Sequence, residues 1–588
     1  MVEPVRWPSN SFVALALAFG STLACSAGGG GKSDSPGGGA TSSTGSTTSM
    51  GGALNLSGTG PSIGGLSPIG GDGPSEDDVP ATCTQAAAKR TYIGCDFWPT
   101  ITFNPVYSEF DFAVVIANSG AETAMVEVTG PAGFTASESI PAGELKAITL
   151  PWVPGLKGPE FSRVNTSEGR VKESARVDGG AYHVVSSVPV TAWQFNPLQY
   201  SKPKSAFSAC ATTFNTENCF SASNDASLLV PSTAMTGNYT VFGRSGIFGG
   251  AAGMAFTSAS SGVAITATQP NTQVKLQFPA DCGAGSFSGT PGGCVAMGTG
   301  VMAANGGTQA EYTLNAGDVL ELVGVFAAGD SLTHADLSGT VINATQPVQV
   351  VAFNPIANIP DTATNADHVE ETVLPAEVIG DKYVVAPPTS PNGAVKGGHV
   401  VRIYGNFDAT TLTYAPAAPA GAPTTIGAGK YVEFGPVTEP FTVEGSEPFV
   451  VASFMVGGSL QAPPSDKCPD FPCRGDPSMS MEVTPRQFRS SYTFLAPADY
   501  ETNFADVLVP ADATVTIDDA PLTGAPEAIG TSGWSVVREP LKPTGGGVHK
   551  LKSNKGVGLQ VMGFGHASSY YYPGGLNLEL ISKPPVVK

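Results

Sequence analysis

Pro189-Val-Thr-Ala-Trp-Gln-Phe195, Pro347-Val-Gln-Val-Val-Ala-Phe353 and Pro448-Phe-Val-Val-Ala-Ser-Phe454 are three versions of one short run. Each opens on proline, continues through β-branched, aromatic or small residues, and closes on phenylalanine. Short runs of this kind between turn residues read as buried strands. Upstream of each lies a turn: Ile140-Pro-Ala-Gly-Glu-Leu145, Leu314-Asn-Ala-Gly-Asp-Val319 and Ile426-Gly-Ala-Gly-Lys-Tyr431. Glycine supplies the left-handed backbone that a tight turn requires. A strand follows each turn, KAITL, LEL or VEF. A fourth run, GVGLQVMGF, ends at Phe564 but has no clear Ala-Gly turn before it.

The shared order of turn, strand and closing aromatic marks four related repeats. The second is longer, swollen by the Gly-rich stretch around Ile247 to Gly253 and by the Cys282–Cys294 loop. Two repeats also share an opening hairpin, at Asp408 to Thr413 and at Asp512 to Ile517. In the second repeat Val263 and Ile265, then Val274, Leu276 and Phe278, alternate about a turn at Gln269 to Thr272. That alternation predicts a half-buried hairpin with period 2 on both arms. The expected fold is all-β, four related sandwich-like repeats in series after a disordered tether. The expected divisions are a signal peptide over 1–24, an anchor and tether over 25–80, and repeats over 81–200, 201–360, 361–460 and 461–588.

Composition agrees with this reading. Gly 73 and Pro 49 are high and charged residues are only 13%, which disfavours long amphipathic helices. A net charge of −20 argues against nucleic acid and anionic membrane surfaces as partners.

The N-terminus reads as an export signal. Phe12 to Phe19 is an uncharged apolar run, too short to span a bilayer and suited to a signal-peptide core. Ser21-Thr-Leu-Ala24 and then Cys25 resemble a bacterial lipobox, with Thr22 and Leu23 reversed from the usual order. Cys25 is the expected lipidation site, and the expected location is the outer membrane or cell surface of a diderm bacterium. From Ser26 to about Pro80 the chain is rich in Gly, Ser and Thr, a composition that does not repay the entropy of ordering. Such a tether has an r.m.s. reach of about 40 Å.

The remaining cysteines fall as close neighbours: Cys83 with Cys95, Cys210 with Cys219, Cys282 with Cys294, and Cys468 with Cys473. Local disulfides are the simplest pairing, each worth roughly 2–3 kcal/mol, and they suit an oxidising compartment. No CxxC occurs and no His stands at ligand spacing from a pair, which disfavours zinc.

Two stretches carry a family resemblance. One is Asp367-His-Val-Glu-Glu371, then Thr372-Val-Leu-Pro375 and Tyr383-Val-Val-Ala-Pro387. The other is Gly475-Asp-Pro-Ser-Met-Ser-Met481, then Gln487-Phe-Arg489 and Tyr492-Thr-Phe-Leu-Ala-Pro497. Both are similar to the N-terminal domain of IgGFc-binding proteins, best over about residues 200–585. The resemblance implies a secreted, β-rich adhesive or ligand-binding module, with no residue-level site to carry across and no implied antibody binding here.

Candidate sites are few. Asp361, Asp367, His368, Glu370 and Glu371 form an acidic cluster that either binds Ca²⁺, or is a solvated acidic loop, or pairs with Arg486 and Arg489. In an extended segment Asp367 and Glu371 share one face, and His368 and Glu370 the other. Tyr570, Tyr571 and Tyr572 offer ring faces to a sugar, or pack a terminal strand. Arg474-Gly-Asp476 is an integrin-type tripeptide already explained by the family motif. There is no GxSxG, HExxH or phosphate-binding glycine loop, and the six His are scattered. Asp518-Asp519 reads as a turn rather than a catalytic pair. The expectation is a non-catalytic surface lipoprotein that binds a protein or glycan partner. The rival readings are a spacer of the cell envelope and a cryptic hydrolase.

Overall fold

The computed structural model describes residues 79–160, 173–203, 218–249, 257–259, 261–282, 293–325, 335–363, 365–393, 398–461, 474–542 and 547–585. Cys25, the signal peptide and the tether lie outside them, as do Cys210, Cys468 and Cys473. Strands make up half of the chain and helices very little, so the all-β expectation holds.

Each repeat is a pair of antiparallel sheets. In the second, the outer sheet has the order Asn238–Thr240, Val341–Ala344, Thr272–Gln277, Gln309–Leu314. Its inner sheet runs Ala366–Thr372, Val348–Asn358, Gly262–Ala267, Val319–Val323. The third repeats the pattern, with Lys382–Val385, Phe441–Gly445, Thr410–Ala415 and Thr425–Ile426 outside. Inside are Met479–Met481, Phe449–Met455, His399–Gly405 and Tyr431–Val437. In the first and fourth, one long strand serves both sheets. His183–Phe195 pairs with Gly94–Phe97 and Ala124–Thr129 through its first half, and with Phe112–Ala117 and Ala226–Leu228 through its second. Val548–Gly565 does the same with Arg489–Leu495 and Val515–Ile517, then Thr502–Pro510 and Ser568–Pro573.

The aromatic runs are the central strands that the sequence suggests. Phe195, Phe353, Phe454 and Phe564 are all fully buried. Each faces the strand that follows it: Phe195 opposite Ala226, Phe353 opposite Glu370, Phe454 opposite Met479, and Phe564 opposite Ser569. The expected divisions at 200/201, 360/361 and 460/461 thus fall between two paired strands of one sheet.

The glycine turns are arches that carry the chain from outer to inner sheet. Gly143, Gly317 and Gly429 have φ of 81°, 84° and 66°, the left-handed region where a Cβ is strained. The fourth repeat differs: Ile529 to Trp534 is a hairpin turn within the inner sheet, where Glu527–Ala528 pairs with Trp534–Leu541 and the buried Ile529 bonds its N–H to the Trp534 carbonyl at 2.9 Å.

The predicted hairpin about Gln269 to Thr272 is corrected. Both arms are strands, yet Gly262–Ala267 joins the inner sheet and Thr272–Gln277 the outer one. The first arm is buried on both faces, while the second alternates buried and exposed. Period 2 identifies a strand but not its partner. The same correction applies at Asp408 and Asp512, where the flanking strands also separate into different sheets.

Four strands that follow the closing aromatics, Ala226–Leu228, Ala366–Thr372, Met479–Met481 and Ser568–Pro573, pack side by side in that order, and the last touches the first. The repeats therefore form a propeller-like ring of four blades. The ends of the ring are stitched together, since Leu578 donates its N–H to the Arg90 carbonyl at 2.7 Å and Tyr92 to the Leu576 carbonyl at 3.2 Å. A further strand, Ala175–Val177 of the first repeat, adds to the second repeat's inner sheet beside Val319–Val323.

Candidate functional site

The axis of the ring gathers the conspicuous polar residues of the chain. Asp225 stands at the start of the first inner strand and is fully buried. Its Oδ1 accepts the Ala226 N–H at 2.9 Å, the Ser478 hydroxyl at 2.5 Å and the Tyr571 N–H at 3.3 Å. Its Oδ2 accepts the Glu370 N–H at 3.0 Å and the Met479 N–H at 3.2 Å. One carboxylate thus collects donors from all four inner strands. Burial pushes this carboxyl well above its usual range, and the donors oppose the rise.

The expected acidic cluster divides three ways. Asp361 lies half-exposed on the rim, 2.8 Å from the guanidinium of Arg244. His368 and Glu370 do share a face, with Nε2 to Oε2 at 3.2 Å, both fully buried. Glu370 also accepts from Thr102 at 2.7 Å, Gln194 at 2.8 Å, Asn196 at 3.0 Å and Ser227 at 3.2 Å. Burial alone would raise its carboxyl, but His368, Asn196 and Gln194 outweigh it and hold it below the usual range. Glu370 therefore fastens the second blade onto the first. Glu371 caps its own strand, accepting the Thr372 N–H at 2.8 Å.

Asp367 accepts the backbone N–H of Asn224 at 2.7 Å and of His368 at 2.8 Å. Burial, and then the repulsion of Asp476 and Asp225, drives its carboxyl well above the usual range. Among the described residues, no three His, Cys, Asp or Glu side chains converge as a metal-ligand set. The five residues of the cluster do not meet at one point.

The three tyrosines are corrected in the same way. Tyr570, Tyr571 and Tyr572 are fully buried, so their faces are not open to a sugar. Tyr570 donates to Asn503 at 2.7 Å and Tyr572 to the Leu495 carbonyl. A terminal inner strand at the centre of a ring has apolar neighbours on both faces, and these rings fill that space. Asp476 of the Arg-Gly-Asp tripeptide is buried too, which leaves only Arg474 on the surface, ion-paired to Glu501 at 2.6 Å. Arg489 covers the ring of Tyr92 and donates to Asn577. Asp518 and Asp519 both have positive φ and turn the chain between Val515–Ile517 and Ala520–Pro521.

Two expected disulfides form, Cys83–Cys95 and Cys282–Cys294. Cys219 is disulfide-bonded as well. Sequence reasoning passed over Asp225 and the role of Asp476. Their signal was a recurrent Asp at or just before the start of the inner strand, as Asn224-Asp225, Ala366-Asp367 and Gly475-Asp476. It also passed over a network between the second and third blades. There Arg402 bonds Asp336 and Glu433, each at 2.6 Å, and Arg244 bonds Glu433 at 2.9 Å.

The family model described as IgGFc binding protein matches residues 225–563. The chain belongs to the IgGFc-binding family. The matched span begins at the axial Asp225 and ends one residue before the last closing aromatic. The body of the first blade lies outside this span, although it repeats the same two-sheet topology and completes the ring. No curated protein matches the chain. A solved structure titled "Crystal structure of tetra-tandem repeat in extending region of large adhesion protein" aligns at 12% identity, over 82% of this chain and 99% of that one. Its TM-score is 0.08, which supports no shared architecture.

Proposed function

We propose that this member of the IgGFc-binding family is an exported, lipid-anchored surface protein that binds a protein partner without catalysis. Family membership and the disulfides support an extracellular binding role. The lipid anchor at Cys25 and an outer-membrane location rest on the N-terminal sequence alone. The axial carboxylates sit in a packed core rather than a cleft, which fits binding better than hydrolysis. The buried tyrosines favour a protein ligand over a glycan.

One observation gives this reading a surface. The inner sheets have four equivalent outer edges. That of the second blade is covered by Ala175–Val177 and that of the fourth by Glu527–Ala528. In the third, Gly435-Pro436 interrupts the edge strand Tyr431–Val437, and proline has no N–H to offer. In the first, Leu145–Leu150 pairs among the described residues on one side only, with Phe112–Ala117, and carries no proline. An open edge of this kind accepts an extended segment from a partner. The chain's charge of −20 favours a basic segment.

The test is capture of envelope or host proteins on immobilised residues 70–588, compared with an Ala147→Lys/Thr149→Lys variant. Both positions are exposed, so the fold tolerates them. A partner held by the parent and released by the variant is the expected result. No partner above an unrelated β-protein control, or equal capture by both, removes the proposal. The spacer reading then takes its place.

A further inference from the structure

We propose that Asp367 and Asp476, with the side-chain oxygens of Gln461 and Ser568, form a binding site for one hard divalent cation, calcium by its chemistry, beside the axis of the ring.

The argument begins with oxygens that lack donors. Asp367 Oδ1 takes two backbone N–H groups, but Oδ2 meets only the Ser568 hydroxyl at 3.4 Å. That hydroxyl has one proton, and its shorter bond is the 2.8 Å contact to Asn224 Oδ1. Asp476 Oδ1 receives a long 3.3 Å bond from the Gly458 N–H, and no described residue donates to its Oδ2. Two fully buried, electrostatically coupled carboxylates are thus left poorly served, at one oxygen of Asp367 and at both of Asp476.

Gln461 is the independent observation. It is buried, its Nε2 is tied to the Val456 carbonyl at 2.5 Å, and its Oε1 has no partner among the described residues. The Nε2 bond settles which way round the amide lies, so the orphan atom is the acceptor oxygen. That oxygen projects over the backbone immediately before Asp476. A Cβ on Gly475 would meet it at 2.9 Å and the Ser569 Oγ at 3.3 Å, which explains a glycine with φ of 75° there. Ser569 in turn accepts the Asp476 N–H at 2.9 Å. An uncompensated buried carboxamide oxygen is destabilising, because it has lost its water partners and gained no donor in their place. A second buried carboxylate beside the first costs more unless something positive lies between them.

The donor set is all oxygen: two carboxylates, one carboxamide and one hydroxyl, with waters to complete the sphere. That is the coordination calcium prefers, and it offers nothing to a softer metal. Asp367 comes from the second blade, Gln461 and Asp476 from the third, and Ser568 from the fourth. A cation there joins three blades at the axis. This set differs from the acidic run predicted from sequence, keeping only Asp367 of it.

The experiment uses the purified chain, stripped with chelator and then dialysed. Metal content is read by mass spectrometry after return of calcium, and melting is followed with 1 mM CaCl₂, MgCl₂ or NaCl. The expected result is one retained calcium per chain and a melting shift of at least about 2 °C, specific to calcium. Asp476→Asn removes one negative charge from the pair. It should raise the melting temperature of the stripped protein and abolish the calcium response. Glu482→Gln, a buried acid outside the site, should keep that response. Two carboxyls that merely share a proton, or an enclosed water in place of the ion, predict no retained metal and calcium-independent melting. That outcome overturns the proposal.

Discussion

Glu370 donates its backbone N–H to the carboxylate of Asp225 at 3.0 Å, and this bond joins the inner strand of the second blade to that of the first. The same carboxylate receives Ser478 and Met479 from the third blade and Tyr571 from the fourth. Asp225 is the point where four sheets, distant in sequence, share one acceptor.

Asp225→Ala should therefore be among the most damaging single substitutions in the chain. It strands several buried donors at once, each costing roughly 1–3 kcal/mol. A loss of about 4 kcal/mol or more is expected, read as a large drop in thermal midpoint. Asp225→Asn should lie between, since one amide oxygen remains an acceptor while the NH₂ opposes N–H donors. An alanine variant that melts like the parent would refute the axial role.

The Arg402–Asp336 pair gives a prediction with the opposite charge logic. Burial alone would raise Asp336, but the Arg402 charge and the Ser338 bonds dominate and hold its carboxyl far below the usual range. A depressed carboxyl stabilises the fold above its unfolded pKa, and that stability is lost as pH falls below about 4. Asp336→Ala leaves the Arg402 guanidinium without one of its two closest partners, at an expected cost of about 3–5 kcal/mol. Equal acid sensitivity of parent and variant would count against the assignment.

Glu482 behaves in the other direction. Burial pushes its carboxyl up to about 7, against opposing bonds from Ser453 at 2.5 Å and Gln560 at 3.4 Å. A raised carboxyl contributes fully below its unfolded pKa, and the contribution is lost as pH climbs through 7. Stability should fall between pH 5 and pH 8 for this reason. Glu482→Gln should flatten that slope and gain up to about 3 kcal/mol at pH 8. Parallel pH profiles for the two proteins would contradict the ionisation described.

The Cys83–Cys95 bridge ties the helix Cys83–Lys89 to the first outer strand. Replacing both cysteines by serine should cost about 2–3 kcal/mol, measured as a lower melting temperature under non-reducing conditions. Reductant should lower the parent's melting temperature in the same sense. A reductant-insensitive parent would show that the bridge adds no stability.

Errors in the sequence reading concentrate where a residue's role depends on a distant partner. The acidic run from Asp361 to Glu371 looked like a surface loop because its charges are local and visible. Yet its fate was set by Asn196, Gln194 and Ser227 of the first blade, which no spacing rule connects to it. Nothing in the Arg-Gly-Asp tripeptide itself signals that its aspartate is buried. Only the ring places Asp476 beside Asp367.

What the sequence by itself determined were the features with local causes. Alternation made the strands, glycine at φ near 80° made the arches, the repeated closing phenylalanines made four units, and near-neighbour cysteines made the bridges. Tertiary structure alone decided which sheet each strand joined, that the four units close into a ring, and that acids and tyrosines fill its axis. A strand exposes the same backbone donors on either edge whatever its partner. The choice among partners is made by packing at the axis, where one buried carboxylate accepts from all four inner strands of the ring at once.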